Sequence, residues 1–87
     1  MIKVIKAEYK DHFKLLVHFS DNSKSVIDFE GYVLSNNNPY TKYQEPKNFK
    51  KFKIENDTIV WGKNWDIIFP AYDLYNHTID DLKFIDV

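Results

Sequence analysis

Cysteine, arginine and glycine are absent or scarce in this 87-residue sequence, and each shortage excludes a class of function. Without cysteine there can be no disulfide framework, no thiolate metal site and no thiol nucleophile. All twelve basic residues are lysines, so the chain lacks the forked arginine contact that most often reads guanine or clamps a phosphate. Its two glycines, Gly31 and Gly62, are too few for a phosphate-cradling loop, so we expect no nucleotide or other cofactor.

Long apolar runs are missing as well. The N-terminal segment, MIKVIKAEYKDHFK, interleaves charged and apolar residues and therefore resembles neither a signal peptide nor a membrane span. We expect a cytoplasmic protein with no membrane partner. The formal net charge is −1, which by itself predicts no polyanionic partner.

Aromatic residues, by contrast, make up 17% of the chain. A sequence of this length has room for one domain, residues 1–87, and folding buries only about 60 to 65% of the surface of so small a chain. Large rings supply much contact area per residue, which allows a stable core without crosslinks. The densest stretch is IVWGKNWDIIFPAYDLY, residues 59–75, and we interpret it as core rather than as the wall of a binding site.

The first third of the chain predicts antiparallel strands. Residues 2–9 start as a strand in which Ile5 breaks strict alternation, and HFKLLVHFS, residues 12–20, has the period of a half-buried strand. The turn-forming DNSK then leads to SVIDF, which predicts a hairpin. The register that keeps the apolar side chains of both strands on one face leaves a three-residue loop, residues 22–24. The cross-strand pairs in this register are Phe19 with Ile27, Val17 with Phe29, and His18 with Asp28.

The middle of the chain predicts a loop followed by a short helix. Residues 30–46 lose their period and are dense in Asn and Pro, which favours a surface loop and the most variable part of the protein. Pro46 suits the first turn of a helix of at most two turns, because the N–H that proline lacks is not needed there. Phe49 and Phe52 would then share one side of that helix.

The last third predicts a second hairpin. Asn56 and Asp57 form a turn, and a loop over residues 62–64 would oppose Trp61 to Trp65 and close the hairpin over the core. Pro70 can open a second short helix over residues 71–75. The tail, residues 76–87, either adds an edge strand or frays, and its possible anchors are Ile79, Leu82, Phe84 or Ile85, and Val87. The predicted fold class is α+β, a small antiparallel sheet of two hairpins plus an N-terminal strand, with one or two short helices.

Two segments together resemble a known family. LLVHFSDNSKSVIDF is similar to a strand, turn and strand near the start of a widespread bacterial domain, domain of unknown function 2442, and FKKFKIENDTIVWGKNWDIIFPAYDLY is similar to its second half. Asn22 replaces the usual glycine, Trp65 is an additional ring, and the tail after Tyr75 is longer than in the pattern. The matching positions are Phe19, Ser20, Asp21, Asp28, Phe49, Trp61, Asp66, Pro70, Leu74 and Tyr75.

The resemblance implies a small α+β fold with an antiparallel sheet and no agreed activity. Some longer members carry a helix-turn-helix domain after this unit, for which we expect no space in this chain. Small stand-alone members are often encoded beside a short companion protein, an arrangement like that of toxin and antitoxin pairs. The resemblance therefore implies a protein partner.

Residue patterns that could catalyse a reaction or bind a metal are weak. His12 and His18 lie on one strand face but roughly 20 Å apart, too far to share an ion. His18 opposite Asp28 could act as a general base, although a surface cross-strand pair is the expected role. Asp66 and Asp73 could serve as an acid and base pair, but turn or capping roles are expected. We predict a non-enzymatic protein with no catalytic residues and no metal.

The candidate binding residues fall into two groups. Tyr40 and Tyr43 in the loop, with Trp65 if it is exposed, suit a protein interface, because Tyr and Trp are common interface anchors. Alternatively, the loop merely covers the sheet. A second group of lysines is interleaved with two phenylalanines and could bind a single-stranded nucleic acid, unless the rings face the sheet and the lysines face solvent. These lysines are Lys47, Lys50, Lys51 and Lys53.

We therefore predict a small protein-interaction module, bacterial and cytoplasmic, as the antitoxin-like half of a two-protein pair. The alternative is a nucleic-acid-binding or transcription-regulatory accessory domain that uses the Lys47–Lys53 basic helix. The sequence does not predict the oligomeric state.

Overall fold

The computed structural model of the protein describes residues 1–85, which fold into two antiparallel sheets and three short helices. The α+β class is confirmed, although the strands divide between two sheets. A single 3₁₀ turn, Thr41–Gln44, lies between the first two helices. In chain order the elements are β1 (Val4–Tyr9), β2 (Lys14–Phe19), β3 (Lys24–Asp28), α1 (Glu30–Val33), α2 (Pro46–Phe49), β4 (Lys53–Glu55), β5 (Thr58–Trp61), β6 (Ile67–Phe69), α3 (Ala71–Asn76) and β7 (Lys83–Ile85).

The first sheet has four strands in the order β1-β2-β3-β7, and the second has three strands in the order β4-β5-β6. The two sheets meet where β1 approaches the turn between β4 and β5, since the Val4 N–H donates to the Asp57 carbonyl at 2.9 Å. Apolar side chains from both sheets and from the helices form one buried cluster. A single core therefore holds the two sheets together.

Strand β1 contains a bulge at Ile5, the residue expected to break the alternation. Val4 opposes Phe19 and Lys6 opposes His18, so β1 has one more residue than β2 between these two pairs. Ile5 is consequently 58% exposed, whereas Val4 is buried.

The predicted register of the first hairpin is wrong by four residues. The turn spans residues 20–22, and the Phe19 N–H donates to the Ser23 carbonyl across it. Asn22 takes a left-handed φ of 72°, which asparagine tolerates better than most residues. A four-residue shift leaves each side chain on the same face, so apolar alternation cannot detect it. The observed pairs are Leu15 with Ile27, Val17 with Ser25, and His18 with Lys24.

The second sheet closes through two turns. Between β4 and β5, Asn56 and Asp57 form the predicted turn, and both have positive φ, as in a two-residue hairpin loop. Between β5 and β6 the loop spans residues 62–66, so Trp61 lies opposite Ile67. The predicted pair of Trp61 with Trp65 is wrong, because the loop is two residues longer than expected.

The connection over residues 30–46 is not the unstructured surface loop that was predicted. It contains α1 and the 3₁₀ turn, and it contributes Val33, Asn38 and Tyr43 to the buried interior. The Asn38 side-chain amide donates to the Val33 carbonyl at 3.0 Å, which satisfies this buried polar group. The two helices predicted after Pro46 and Pro70 are confirmed as α2 and α3.

The tail forms an edge strand, one of the two outcomes expected for it. Strand β7 pairs with β3, and Leu82 immediately before it is only 5% exposed. The Asp81 carbonyl oxygen lies against α1 at Gly31, where an added Cβ would come within 2.3 Å of it. Glycine at position 31 therefore permits the tail to pack closely on α1. The expected anchor Val87 lies outside the described residues.

Trp61 lies at the centre of the aromatic core. Its ring centroid is 5.4 Å from those of both Phe29 and Phe49, and 6.1 Å from that of Phe69. The indole N–H donates to the Phe49 carbonyl at 2.8 Å, so the polar atom of this buried side chain is satisfied. The interpretation of residues 59–75 as core is confirmed for five buried residues that belong to the core cluster, Ile59, Trp61, Ile67, Phe69 and Leu74.

Candidate functional site

Trp65 lies on the side of the second sheet that faces away from the core. Its indole N–H donates to the Glu55 carboxylate at 3.0 Å, so the side chain reaches from the β5–β6 loop across to β4. Strand β5 lies between these elements, and its Val60 side chain, on the same side, is fully buried. Trp65 as a whole residue remains 45% exposed. We call this side of the sheet the outer face, and it carries Lys53, Glu55, Thr58, Val60, Trp65 and Ile68.

A groove of about 550 Å³ continues the outer face toward the N-terminus and α3. Ile68 and Tyr72 line it and are 39% and 68% exposed. Trp65, Ile68 and Tyr72 thus present three large side chains to solvent on one surface. The other residues that line the groove are Met1, Ile2, Asn56, Asp57, Thr58, Pro70 and Ala71.

The structure separates the three residues predicted for a protein interface. Trp65 is exposed, as the prediction required, and Tyr40 is 37% exposed in the connection after α1. Tyr43 is only 4% exposed, and its ring belongs to the core cluster, which leaves little ring surface for a partner. Sequence reasoning missed Ile68 and Tyr72. Period-two alternation with Ile67 and Phe69, both buried, is the signal that could have placed Ile68 on the outer face.

The polar end of Tyr43 is held by the β5–β6 loop. Its hydroxyl donates to the Asp66 carboxylate at 3.1 Å, and the Lys42 ammonium lies 3.5 Å from the same oxygen. Burial first, and then the Asp66 carboxylate, raise the pKa of Tyr43. Gly62, with a φ of 89°, packs against this pair, since a Cβ there would lie 2.7 Å from the Asp66 carboxylate and 2.8 Å from the Tyr43 hydroxyl. These contacts fix the loop against the 3₁₀ turn.

The four lysines of residues 47–53 do not share one helix, because the segment runs from α2 through a turn into β4. Their side chains make different contacts. Lys50 lies over the Tyr9 ring, with its ammonium 4.6 Å from the ring centroid. Lys53 pairs with Glu55 at 2.8 Å. Between the lysines, Phe49 is fully buried and Phe52 packs against the core, so the rings face inward, which is the alternative that argues against base stacking. Of the four lysines, Lys51 and Lys53 line a pocket of about 280 Å³, whereas Lys47 does not.

His18 contacts a carboxylate other than the predicted one. Its Nε2 lies 2.7 Å from the Glu8 carboxylate on β1, while Asp28 lies opposite Lys14. The hydrogen bond with His18, and then the Lys6 ammonium, lower the pKa of Glu8. The expected pair of His18 with Asp28 is therefore wrong, because the hairpin register differs.

The other acidic and histidine candidates have separate local contacts. Asp66 is bound to Tyr43, and Asp73 accepts a hydrogen bond from the Thr78 hydroxyl at 2.9 Å after the end of α3. Within residues 1–85, no three His, Asp or Glu side chains come close enough together to hold a metal ion. In that same part of the chain, no helix has both the length and the apolar character needed to cross a bilayer.

A family model described as protein of unknown function (DUF2442) matches residues 4–77. The chain belongs to the DUF2442 family. The DUF2442 match begins at β1 and stops at the residue after α3, so β7 lies beyond it. Among curated proteins and among solved structures, nothing matches this chain.

Two positions of the DUF2442 resemblance meet in the fold, although 54 positions separate them. The Tyr75 hydroxyl on α3 donates to the Asp21 carboxylate in the first hairpin turn at 2.6 Å. The same tyrosine ring packs edge-on against Phe19, with centroids 5.2 Å apart. These contacts join α3 to the first hairpin and give both matching positions a structural role.

Proposed function

We propose that this DUF2442 protein is a non-enzymatic protein-interaction module that binds its partner through the outer face of the second sheet and the adjoining groove. The observation that supports the proposal is the exposure of Trp65, Ile68 and Tyr72 on this one surface. Tryptophan and tyrosine are enriched at the energetic centres of protein interfaces, because they combine a large apolar area with a polar group.

The backbone at Trp65 supports the same proposal. Its φ of 55° is a left-handed conformation that costs a bulky residue roughly 1 to 2 kcal/mol. The Trp65 side chain is held by its hydrogen bond to Glu55, yet nearly half of the residue's surface stays in solvent. Strained backbone conformations concentrate at functional sites, and partner binding gives a reason for a tryptophan at this position.

The partner that we propose is a small protein encoded beside this one, with this chain as the antitoxin-like half of a bacterial pair. The support is the resemblance itself, since small stand-alone members of the family are often encoded next to a short companion protein. Such a partner would bury the three exposed side chains of the outer face and groove. Burial of this apolar surface would supply the driving force for association.

The test is to co-express the tagged protein with the product of the neighbouring gene and to measure the affinity of the complex by calorimetry. We expect Ile68→Glu to weaken binding by about tenfold or more, because it places a charge in an apolar contact. Ile85→Glu is the matched control, since Ile85 is also a strand isoleucine of similar exposure, 42% against 39%, but lies in the first sheet. It should leave the affinity unchanged.

Circular dichroism of both variants checks that each is folded. Absence of a complex with the neighbouring gene product would contradict the proposed partner. Equal losses of affinity in Ile68→Glu and Ile85→Glu would contradict the proposed surface.

A further inference from the structure

A pocket lined by four lysines lies beside the β5–β6 loop, next to the interaction surface. Its volume is about 280 Å³. The lysines come from four separate parts of the chain, namely the 3₁₀ turn, the turn after α2, β4 and the β5–β6 loop, so no sequence motif reveals them together. The lining residues are Lys42, Tyr43, Asn48, Lys51, Lys53, Gly62 and Lys63.

The charges around the pocket do not cancel. Lys42 is paired with Asp66 at 3.5 Å, and Lys53 is paired with Glu55 at 2.8 Å. No carboxylate of residues 1–85 lies within 4.0 Å of the ammonium groups of the other two lysines, Lys51 and Lys63. The pocket therefore keeps about two positive charges, which matches a phosphate monoester, whose charge at neutral pH is about −1.5 to −2.

Several contacts fix the walls of the pocket. The Asn48 side-chain amide donates to the Lys42 carbonyl at 2.9 Å, which joins α2 to the 3₁₀ turn. In the β5–β6 loop, Gly62 fits closely against the Tyr43 hydroxyl and the Asp66 carboxylate, and any larger residue would collide with both. The lysines that line the pocket therefore extend from a backbone that is held in place, so binding costs little backbone entropy.

We propose that this pocket binds the phosphate group of a small molecule, with Lys51 and Lys63 supplying the uncompensated charge. Lysine binds phosphate as a point charge, so the absence of arginine from the chain is no obstacle. The proposal does not depend on the partner protein proposed above, because the pocket shares only Lys53 with the outer face. The proposed phosphate site includes two of the lysines that were considered for nucleic-acid binding, Lys51 and Lys53. These lysines line a compact pocket and do not form an extended basic surface.

The experiment is an NMR titration of the full chain with inorganic phosphate at constant ionic strength, with chloride as the replaced anion. We expect saturable shifts of the backbone amides of Lys51, Gly62 and Lys63. The double variant Lys51→Gln/Lys63→Gln should weaken phosphate binding by about tenfold or more, because each lost charge-assisted hydrogen bond is worth at least that factor. All these side chains are exposed, so the variant should fold, and its spectrum verifies this directly.

The matched control is Lys24→Gln/Lys83→Gln, which removes two exposed lysines from the first sheet and should retain wild-type phosphate binding. Equal weakening in both double variants, or no saturable shift in the wild type, overturns the proposal.

A second titration uses a mixed-sequence single-stranded oligonucleotide. If the oligonucleotide binds with strong salt dependence while phosphate alone does not bind, an extended basic surface replaces the pocket proposal.

Discussion

At the scale of single residues, the hydroxyl group of Tyr75 distinguishes it from the other exposed tyrosine of α3. The Asp21 carboxylate accepts hydrogen bonds from Ser23 and from Tyr75, and these contacts lower its pKa, with the Ser23 hydroxyl as the largest cause. The same bond raises the pKa of Tyr75. Tyr72, one turn earlier, has no hydrogen bond from its hydroxyl to any of residues 1–85.

We expect Tyr75→Phe to raise the pKa of Asp21 toward its ordinary value of 3.8, because one of the bonds that favour the ionised form is lost. The rise should be partial, since the Ser23 hydrogen bonds remain. An NMR pH titration of the Asp21 side-chain carbon measures it, and Tyr72→Phe is the control that removes a hydroxyl from the same helix. An unchanged Asp21 pKa in Tyr75→Phe would refute the contact.

The sign of the pH dependence follows from this lowered pKa. A carboxyl whose pKa is lower in the folded state stabilises the fold above its ordinary pKa, and the contribution is lost as the pH falls through the folded-state value. In the Tyr75→Phe variant the free energy of unfolding should therefore depend less on pH below about 3.8 than in the wild type.

Trp65 shows what the sequence could and could not reveal about single residues. Its type and position made it a candidate for a protein interface, and the structure leaves it exposed. Sequence reasoning also expected it to pair with Trp61, which is buried. The two tryptophans differ because Trp65 adopts a left-handed backbone conformation in a five-residue loop. Such a conformation is rare in a bulky residue, so the sequence around Trp65 does not predict it.

At the scale of elements, apolar alternation predicts strands and their faces but not their register. Residues 14–19 and 24–28 form strands with the expected face buried, yet their register is four residues from the prediction. The side-chain period in a strand is two, so any even shift satisfies the same pattern. The turn decides the register instead, and here the left-handed Asn22 closes a three-residue turn over residues 20–22, two positions before the expected one.

Helix α1 and the 3₁₀ turn were missed for a different reason. Each contains four residues, which is too short to display a helical period. The burial of Tyr43 depends on tertiary contacts with Asp66 and Gly62, which are distant in sequence. Local patterns therefore predicted a loop where the chain in fact supplies part of the core.

The last strand provides a stability prediction at this scale. Leu82→Ala should lower the free energy of unfolding by about 2 to 5 kcal/mol, because Leu82 is buried and anchors the segment that leads into β7. Ile85→Ala, in the same segment but 42% exposed, should cost less than about 1 kcal/mol. Urea unfolding followed by circular dichroism compares them. Equal losses for the two variants would mean that the tail does not dock through Leu82.

At the scale of the whole molecule, the aromatic residues divide into two populations. Rings such as Trp61, Phe29 and Phe49 form the centre of the core that joins the two sheets. Trp65 and Tyr72 instead face solvent on the outer face and groove of the second sheet. The proposed function depends on this division, since only the second population can contact a partner without unfolding the domain.

The most direct test of this division is tryptophan fluorescence of two single-tryptophan variants, Trp65→Phe and Trp61→Phe, with acrylamide as the quencher. With Trp61 as the remaining tryptophan, at 1% exposed, we expect blue-shifted emission and weak quenching. With Trp65 remaining, at 45% exposed, we expect red-shifted emission and strong quenching. Strong quenching of Trp61 in the folded Trp65→Phe variant would place that ring at the surface and contradict the account.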